Sequence, residues 1–294
     1  MPHSQRQQTA PLPQVRVGLI GAGIQKSGSP ALHMDEGTAL GLDYRYDLLD
    51  IDLIDGGASA LPQLIDQAEA QGFAGLNITF PCKQTVIPLL HELSADAQSL
   101  QSVNTVVFRN GRREGHNTDW WGFAENFRRG MADVARERVV LVGAGGAGSA
   151  VGYAALQLGA QALQVHDSDG ARAATLAARL ASQFPDRSVS VVNDLQQSLA
   201  AADGLIHASP TGMAKLPGLP VPAHCLRAPL WVAEVVYVPL ETELLRVARA
   251  AGCRTLDGGG MAVFQAVMAF ELFSGRKPDA ERMLARFNAR LRGG

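Results

Sequence analysis

Lys83 closes the run NITFPCK (Asn77 to Lys83), and Asp119 closes HNTD (His116 to Asp119). A lysine beside a carboxylate can take a hydroxyl proton and hold it in place while a hydride leaves the same carbon. Two further clusters carry groups suited to binding: KSGSP (Lys26 to Pro30) offers the hydroxyls of Ser27 and Ser29 to a carboxylate or to other hydroxyls, and VNT (Val103 to Thr105) offers Asn104. Each cluster also has an ordinary reading, as a serine before proline, an asparagine in a turn, or Asp119 as the cap of a helix beginning at Trp120. All of them stand at the ends of expected strands, where an open parallel sheet places its ligands. Three histidines compete as acid-base groups: His33 among apolar residues, His91 near a helix end, and His207 at a strand end.

The run VVLVGAGGAG (Val139 to Gly148) supplies a second kind of chemistry. Four apolar strand formers lead into Gly143, Gly145 and Gly148 at G-x-G-x-x-G spacing. The first glycine makes a tight turn, the second lets a pyrophosphate approach the backbone, and the third lets the helix pack on the strand. Ala144, Gly146 and Ala147 complete the turn. An alanine-rich stretch follows, then a second strand from Ala162 to Val165, and then Asp167, which lies 19 residues beyond Gly148. An acidic side chain there accepts hydrogen bonds from ribose hydroxyls and repels a 2′-phosphate, so NAD is expected in preference to NADP. Arg172 opposes this reading, because an arginine shortly after the second strand can hold a 2′-phosphate. GLIGAGIQK (Gly18 to Lys26) imitates the motif but has Lys26 in place of the third glycine and Pro30 where the helix would start. It is expected to be a turn that delivers Ser27 and Ser29 to a cleft, with the helix starting near Ser29.

Elements that position these groups alternate along the chain, as βαβ units require. Strands are expected at Arg16 to Ile20, Tyr44 to Leu49, Gly75 to Thr79 and Val103 to Phe108, with helices at Pro30 to Leu40, Leu61 to Ala70 and Lys83 to Glu92. VNT and HNTD are expected to be the arms of a hairpin turning at Asn110 and Gly111. A second series places strands at Val139 to Val142, Ala162 to Val165, Val189 to Val192, Gly204 to His207 and Trp231 to Val235, with a helical stretch at 120–135 before it and helices at Met261 to Phe273 and Ala280 to Leu291 after it. The fold class is therefore α/β with two domains. Residues 14–120 are expected to form a substrate domain with a mostly parallel sheet, residues 121–260 a Rossmann domain, and residues 261–294 helices that return to the first domain.

The chain has 294 residues and a net charge of −2, with no long basic run, so neither a nucleic-acid nor a membrane surface is expected and the partner is a small molecule. Cys82, Cys225 and Cys253 are odd in number and widely spaced. They read as reduced thiols of a cytoplasmic protein, without disulfides, and no histidine, cysteine and carboxylate spacing forms a metal site. Residues 1–13 are polar and contain proline, and the apolar run after them is too short for a signal peptide or a membrane span, so they read as a disordered leader. A monomer or homodimer is expected.

Over residues 15–291 the chain resembles the shikimate/quinate dehydrogenases, with KSGSP, GLNITFPCK, SVNTVV, HNTD, VGAGGAG and DGGGMAVFQA (Asp257 to Ala266) in that family's order. The resemblance implies that Lys83 and Asp119 are the catalytic dyad. It implies that Ser27, Ser29, Thr79, Asn104, Tyr237 and Gln265 surround the substrate's carboxylate and ring hydroxyls, and that Ser209, Val235 and Gly260 join the glycine turn around the cofactor. HDSDGAR (His166 to Arg172) is more similar to the NAD-dependent quinate/shikimate branch than to the NADP clamp of the biosynthetic branch. Ser29, where quinate users often carry threonine, favours shikimate over quinate, a difference worth about 1 to 3 kcal/mol. Alternatives are a quinate or aminoshikimate dehydrogenase of a catabolic or secondary pathway, and a regulatory protein that binds a dinucleotide without catalysis.

Overall fold

The computed structural model describes residues 12–293. Most of the segment expected as a leader lies outside the described residues. The first half runs β1 (Gln14–Gly21), α1 (Ser29–Ala39), β2 (Asp43–Asp50), α2 (Leu61–Ala70), β3 (Gly75–Ile78), α3 (Cys82–Thr85), β4 (Glu92–Leu93), α4 (Ala95–Leu100), β5 (Thr105–Arg109), β6 (Arg112–His116) and α5 (Asp119–Gly130). Its sheet has the order β2-β1-β3-β5-β6-β4. Strands β1, β2 and β3 are parallel, whereas β5 and β6 form an antiparallel hairpin on the edge of β3. Asn110 and Gly111 turn that hairpin with φ of 53° and 72°. Two successive residues with positive φ match the right-handed twist of the strands, and asparagine and glycine tolerate it best.

The expected helix from Lys83 to Glu92 does not form. After α3 the chain tightens into a single 3₁₀ turn at Ile87–Leu89, then extends into the short strand β4. Pro88 is the reason, because it has no amide hydrogen to donate and its ring would collide with the carbonyl one turn earlier. The short α3 leaves Lys83 near the end of β3, and its carbonyl accepts the Val103 amide at 2.8 Å.

The second half runs β7 (Arg138–Val142), α6 (Gly146–Gln157), β8 (Ala162–His166), α7 (Gly170–Gln183), β9 (Ser188–Val191), α8 (Leu195–Ala201), β10 (Gly204–His207), β11 (Trp231–Glu234), α9 (Glu243–Ala250) and β12 (Arg254–Leu256). All its strands are parallel, in the order β12-β11-β10-β7-β8-β9. This is the doubly wound Rossmann arrangement, with its switch point between β7 and β10.

The last two helices are α10 (Gly259–Ser274) and α11 (Ala280–Gly293). Phe270 and Phe273 of α10 join Val17, Leu19 and Tyr44 in a core on the first sheet, and Phe270 stacks on Tyr44 with centroids 4.9 Å apart. Each such ring, when fully buried, contributes about 1.5–3 kcal/mol. Val263, Phe264, Met283 and Phe287 form a second core with Leu32 of α1. Helix α5 lies between the two halves: Phe123 and Phe127 pack under the second sheet, while its other side meets α10. That contact is very close, since a Cβ at Gly260 would stand 1.9 Å from Asn126 Oδ1.

Candidate active site

Lys83 Nζ donates to Asp119 Oδ2 at 2.6 Å, and both side chains are largely buried. The second carboxylate oxygen, Oδ1, accepts Asn104 Nδ2 at 2.9 Å. Asp119 is the first residue of α5, yet its carboxylate does not cap that helix. Asn117 does so, its Oδ1 accepting the amides of Asp119 at 3.1 Å and Trp120 at 3.4 Å. The capping reading of Asp119 is therefore corrected, and the carboxylate remains free to face Lys83.

A buried polar chain holds this pair from behind. The Asn104 side-chain oxygen accepts the Thr118 amide at 2.7 Å, and Asn77 Nδ2 reaches Thr105 Oγ1 at 3.1 Å. Tyr46 donates its phenol to Asn77 Oδ1 at 2.8 Å. Burial pushes the Tyr46 phenol far up, an effect partly offset by the Ser29 hydroxyl beside it. Tyr46 is a residue that motif reading missed; its signal is a tyrosine on the inward-facing side of an alternating strand.

The other expected substrate contacts border the same region. Ser29 opens α1, as the displaced start requires, and Ser27 Oγ accepts the Ser29 amide at 3.3 Å. Thr79 follows β3 and turns its methyl toward Gly21, where an added Cβ would stand 2.2 Å away. Tyr237 is partly exposed, and its phenol is shifted upward first by burial and then by the negative charge of Asp119. Gln265 lies on α10 where that helix crosses α5 at Gly122, and donates to the Ala262 carbonyl at 2.9 Å.

Across from these residues, the glycine turn behaves as its spacing demands. Gly143 has a φ of 107°, which disfavours any side chain. A Cβ at Gly148 would stand 1.9 Å from Gly143 O, whereas one at Gly145 would meet nothing within 4 Å. That open face, at the N-terminus of α6, fits a pyrophosphate. Ala144 lies within the same turn, Ala147 is in the first turn of α6, and Gly146 faces Lys83. Ser209 and Val235 follow β10 and β11, the Ser209 amide lying against Gly143. Gly260 packs on Asn126, so its missing side chain serves the contact between α5 and α10.

Asp167 follows β8 and reaches back to the turn, its Oδ2 accepting the Ala144 amide at 2.7 Å. Capping of α7 falls to Asp169, which accepts the amides of Ala171 and Arg172. Burial alone would raise the Asp167 carboxyl, but the Ala144 and Asp169 amides, together with Arg172, hold it below the usual range. Arg172 is exposed and bonds Asp169 at 3.1 Å, with Asp167 at 3.7 Å.

The competing histidines lie elsewhere. His33 is fully buried against Tyr44 and held down to about 3 by burial, His91 accepts the Arg113 amide, and His207 is paired with Glu234. Among the described residues no cluster of three metal-binding side chains occurs, no helix is long and apolar enough to cross a membrane, and the three cysteines are free and buried.

Residues 19–106 match the shikimate dehydrogenase substrate binding domain, and residues 258–286 match the shikimate 5′-dehydrogenase C-terminal domain. A shikimate dehydrogenase (NADP(+)) of Streptomyces avermitilis is 58% identical over 271 residues, 92% of this chain and 93% of that protein. The chain belongs to the shikimate dehydrogenase family. As a shikimate dehydrogenase relative it is an oxidoreductase acting on a CH–OH donor with a nicotinamide dinucleotide. A quinate/shikimate dehydrogenase (NAD(+)) of Corynebacterium efficiens is 46% identical, covering 93% of this chain and 97% of that one. The quinate dehydrogenase from Corynebacterium glutamicum in complex with NAD superposes with a TM-score of 0.89 at 44% identity, covering 94% of this chain and 99% of that one. Family members thus differ in the dinucleotide and in the acid they are named for.

Proposed function

We propose that this enzyme interconverts shikimate and 3-dehydroshikimate with NAD, and that it also accepts quinate. The observation that carries the reading is the Lys83 to Asp119 pair at 2.6 Å, with the stem of Lys83 passing Gly146 of the dinucleotide turn. Acid-base group and cofactor motif thereby lie side by side. Bound along the glycine turn, the dinucleotide supplies a nicotinamide ring as hydride acceptor for the carbon bearing the C3 hydroxyl. Lys83 exchanges the proton of that hydroxyl. Asp119, anchored by Asn104, fixes the ammonium in position. Ser27 and Ser29 hold the substrate carboxylate, while Thr79, Asn104, Tyr237 and Gln265 bracket the ring.

The preference for NAD is supported by Asp167, a carboxylate held in its charged form beside the turn. The rival reading, NADP use, draws on the exposed Arg172 and on the name of the Streptomyces relative. Acceptance of quinate is supported by the likeness to a quinate/shikimate dehydrogenase and to the structure of a quinate dehydrogenase. Steady-state kcat/KM for shikimate and quinate, each with NAD and with NADP, tests all of this. Shikimate with NAD is expected to give the highest value, and a preparation with no dinucleotide-dependent turnover would refute the proposal.

A further inference from the structure

His207 and Glu234, at the ends of the adjacent strands β10 and β11, have no exposed side-chain surface, and His207 Nδ1 lies 2.8 Å from Glu234 Oε1. The other ring nitrogen, Nε2, is 2.6 Å from Ser209 Oγ. Glu234 accepts from further donors: the Val236 amide reaches Oε1 at 2.9 Å and the Thr242 hydroxyl reaches Oε2 at 3.1 Å. The Thr242 oxygen is itself taken by the Leu245 amide at 3.3 Å, so its proton is free to donate.

A carboxylate that only accepts places the imidazole proton on Nδ1. With the ring proton on Nδ1 alone, Nε2 accepts, and the Ser209 hydroxyl 2.6 Å away is its donor. The Thr211 amide occupies one lone pair of Ser209 Oγ at 3.3 Å. One lone pair is left, so Ser209 presents an acceptor and no donor. Its amide lies against Gly143, and β10 and β11 stand on the far side of the switch point from Asp167, the side of a doubly wound sheet that takes the second half of a dinucleotide.

We propose that Glu234, acting through His207, fixes Ser209 as a hydrogen-bond acceptor for a donor on the nicotinamide half of the dinucleotide, a ribose hydroxyl or the carboxamide NH₂. The proposal rests on the dinucleotide reading given above. Ser209 is the contacting residue, and His207 and Glu234 are positioning residues. The relay explains why a histidine and a glutamate are buried together beside a cofactor turn, a costly arrangement that apolar side chains could replace.

The test is calorimetric titration of NAD, and separately of ADP, which lacks the nicotinamide riboside. Ser209→Ala is expected to weaken NAD about fivefold, the ~1 kcal/mol of one neutral hydrogen bond, and to leave ADP unchanged. Ser209→Thr, which keeps the hydroxyl, restores NAD binding. Replacing the pair together, His207→Leu with Glu234→Met, avoids stranding a buried charge and is expected to weaken NAD by a similar factor. On the Ser209→Ala background it should add nothing, because coupled residues do not act additively. Normal NAD affinity in Ser209→Ala overturns the proposal, as does an equal loss for ADP, or a further loss when the pair is replaced behind Ser209→Ala. Should the pair replacement not fold, the Ser209 variants with NAD and ADP still decide. Failure of the wild-type protein to bind any dinucleotide refutes the functional reading itself.

Discussion

A Cβ placed on Gly146 would stand 3.9 Å from Lys83 Cδ, so the lysine paired with Asp119 runs alongside the first turn of helix α6. Lys83 lies in α3, after β3 of the first sheet, and Gly146 opens α6, after β7 of the second, so their approach brings the proton-handling group to the dinucleotide turn. This predicts that proton transfer and cofactor binding can be lost separately.

Lys83→Ala should lower kcat at least about 100-fold, within the range contributed by a general acid-base group. NAD affinity, measured by calorimetry, should stay nearly unchanged, because the part of Lys83 that passes Gly146 is its apolar stem and its ammonium is paired with Asp119. A variant with near wild-type kcat would remove Lys83 from the mechanism.

Asp119→Asn should also impair turnover, less severely than loss of Lys83. Asn104 Nδ2 donates to Oδ1, so the new side chain keeps its oxygen there and turns its NH₂ toward Lys83 Nζ, setting donor against donor. Since Asn117 caps α5, the helix should stay intact and the loss of stability should be that of the Lys83 pair alone, about 1–3 kcal/mol. A larger loss would show that Asp119 serves mainly the fold.

Gly145→Val and Gly148→Ala should separate binding from folding within one motif. The space beside Gly145 is open and its backbone, at φ −77° and ψ −165°, suits any residue, so Gly145→Val should fold normally and lose dinucleotide binding. At Gly148 an added methyl meets Gly143 O at 1.9 Å, so Gly148→Ala should destabilise by about 1–3 kcal/mol, read from denaturant melts. Normal NAD affinity in Gly145→Val would contradict the motif.

For the wild-type protein, NAD should exceed NADP at least tenfold in kcat/KM, about 1.4 kcal/mol, because the Asp167 carboxylate repels a 2′-phosphate. Asp167→Ser should narrow the gap, both by removing the repulsion and by releasing Arg172, which lies 3.7 Å from Asp167. Equal or better turnover with NADP in the wild type would transfer the controlling role to Arg172.

Features encoded between near neighbours in the chain were legible in the sequence. The glycine turn, the hairpin at Asn110 and Gly111, the start of α1 at Ser29 and the span of α2 all follow from backbone preference and local periodicity. Lys83 and Asp119 were legible as chemical types at strand ends, but their meeting depends on β5 and β6 folding back beside β3. The break at Pro88 had a local signal that the apolar pattern from Lys83 to Glu92 obscured.

Which carboxylate caps and which one works was decided only in three dimensions. Asp119 stands at a helix start and Asp167 shortly before one, and both are spared capping because Asn117 and Asp169 take that task. The partnership of His207, Glu234 and Ser209 likewise has no local signature. Turn and helix propensities act over a few residues, whereas these pairings depend on sheet register and on cores that close only when the whole chain has packed.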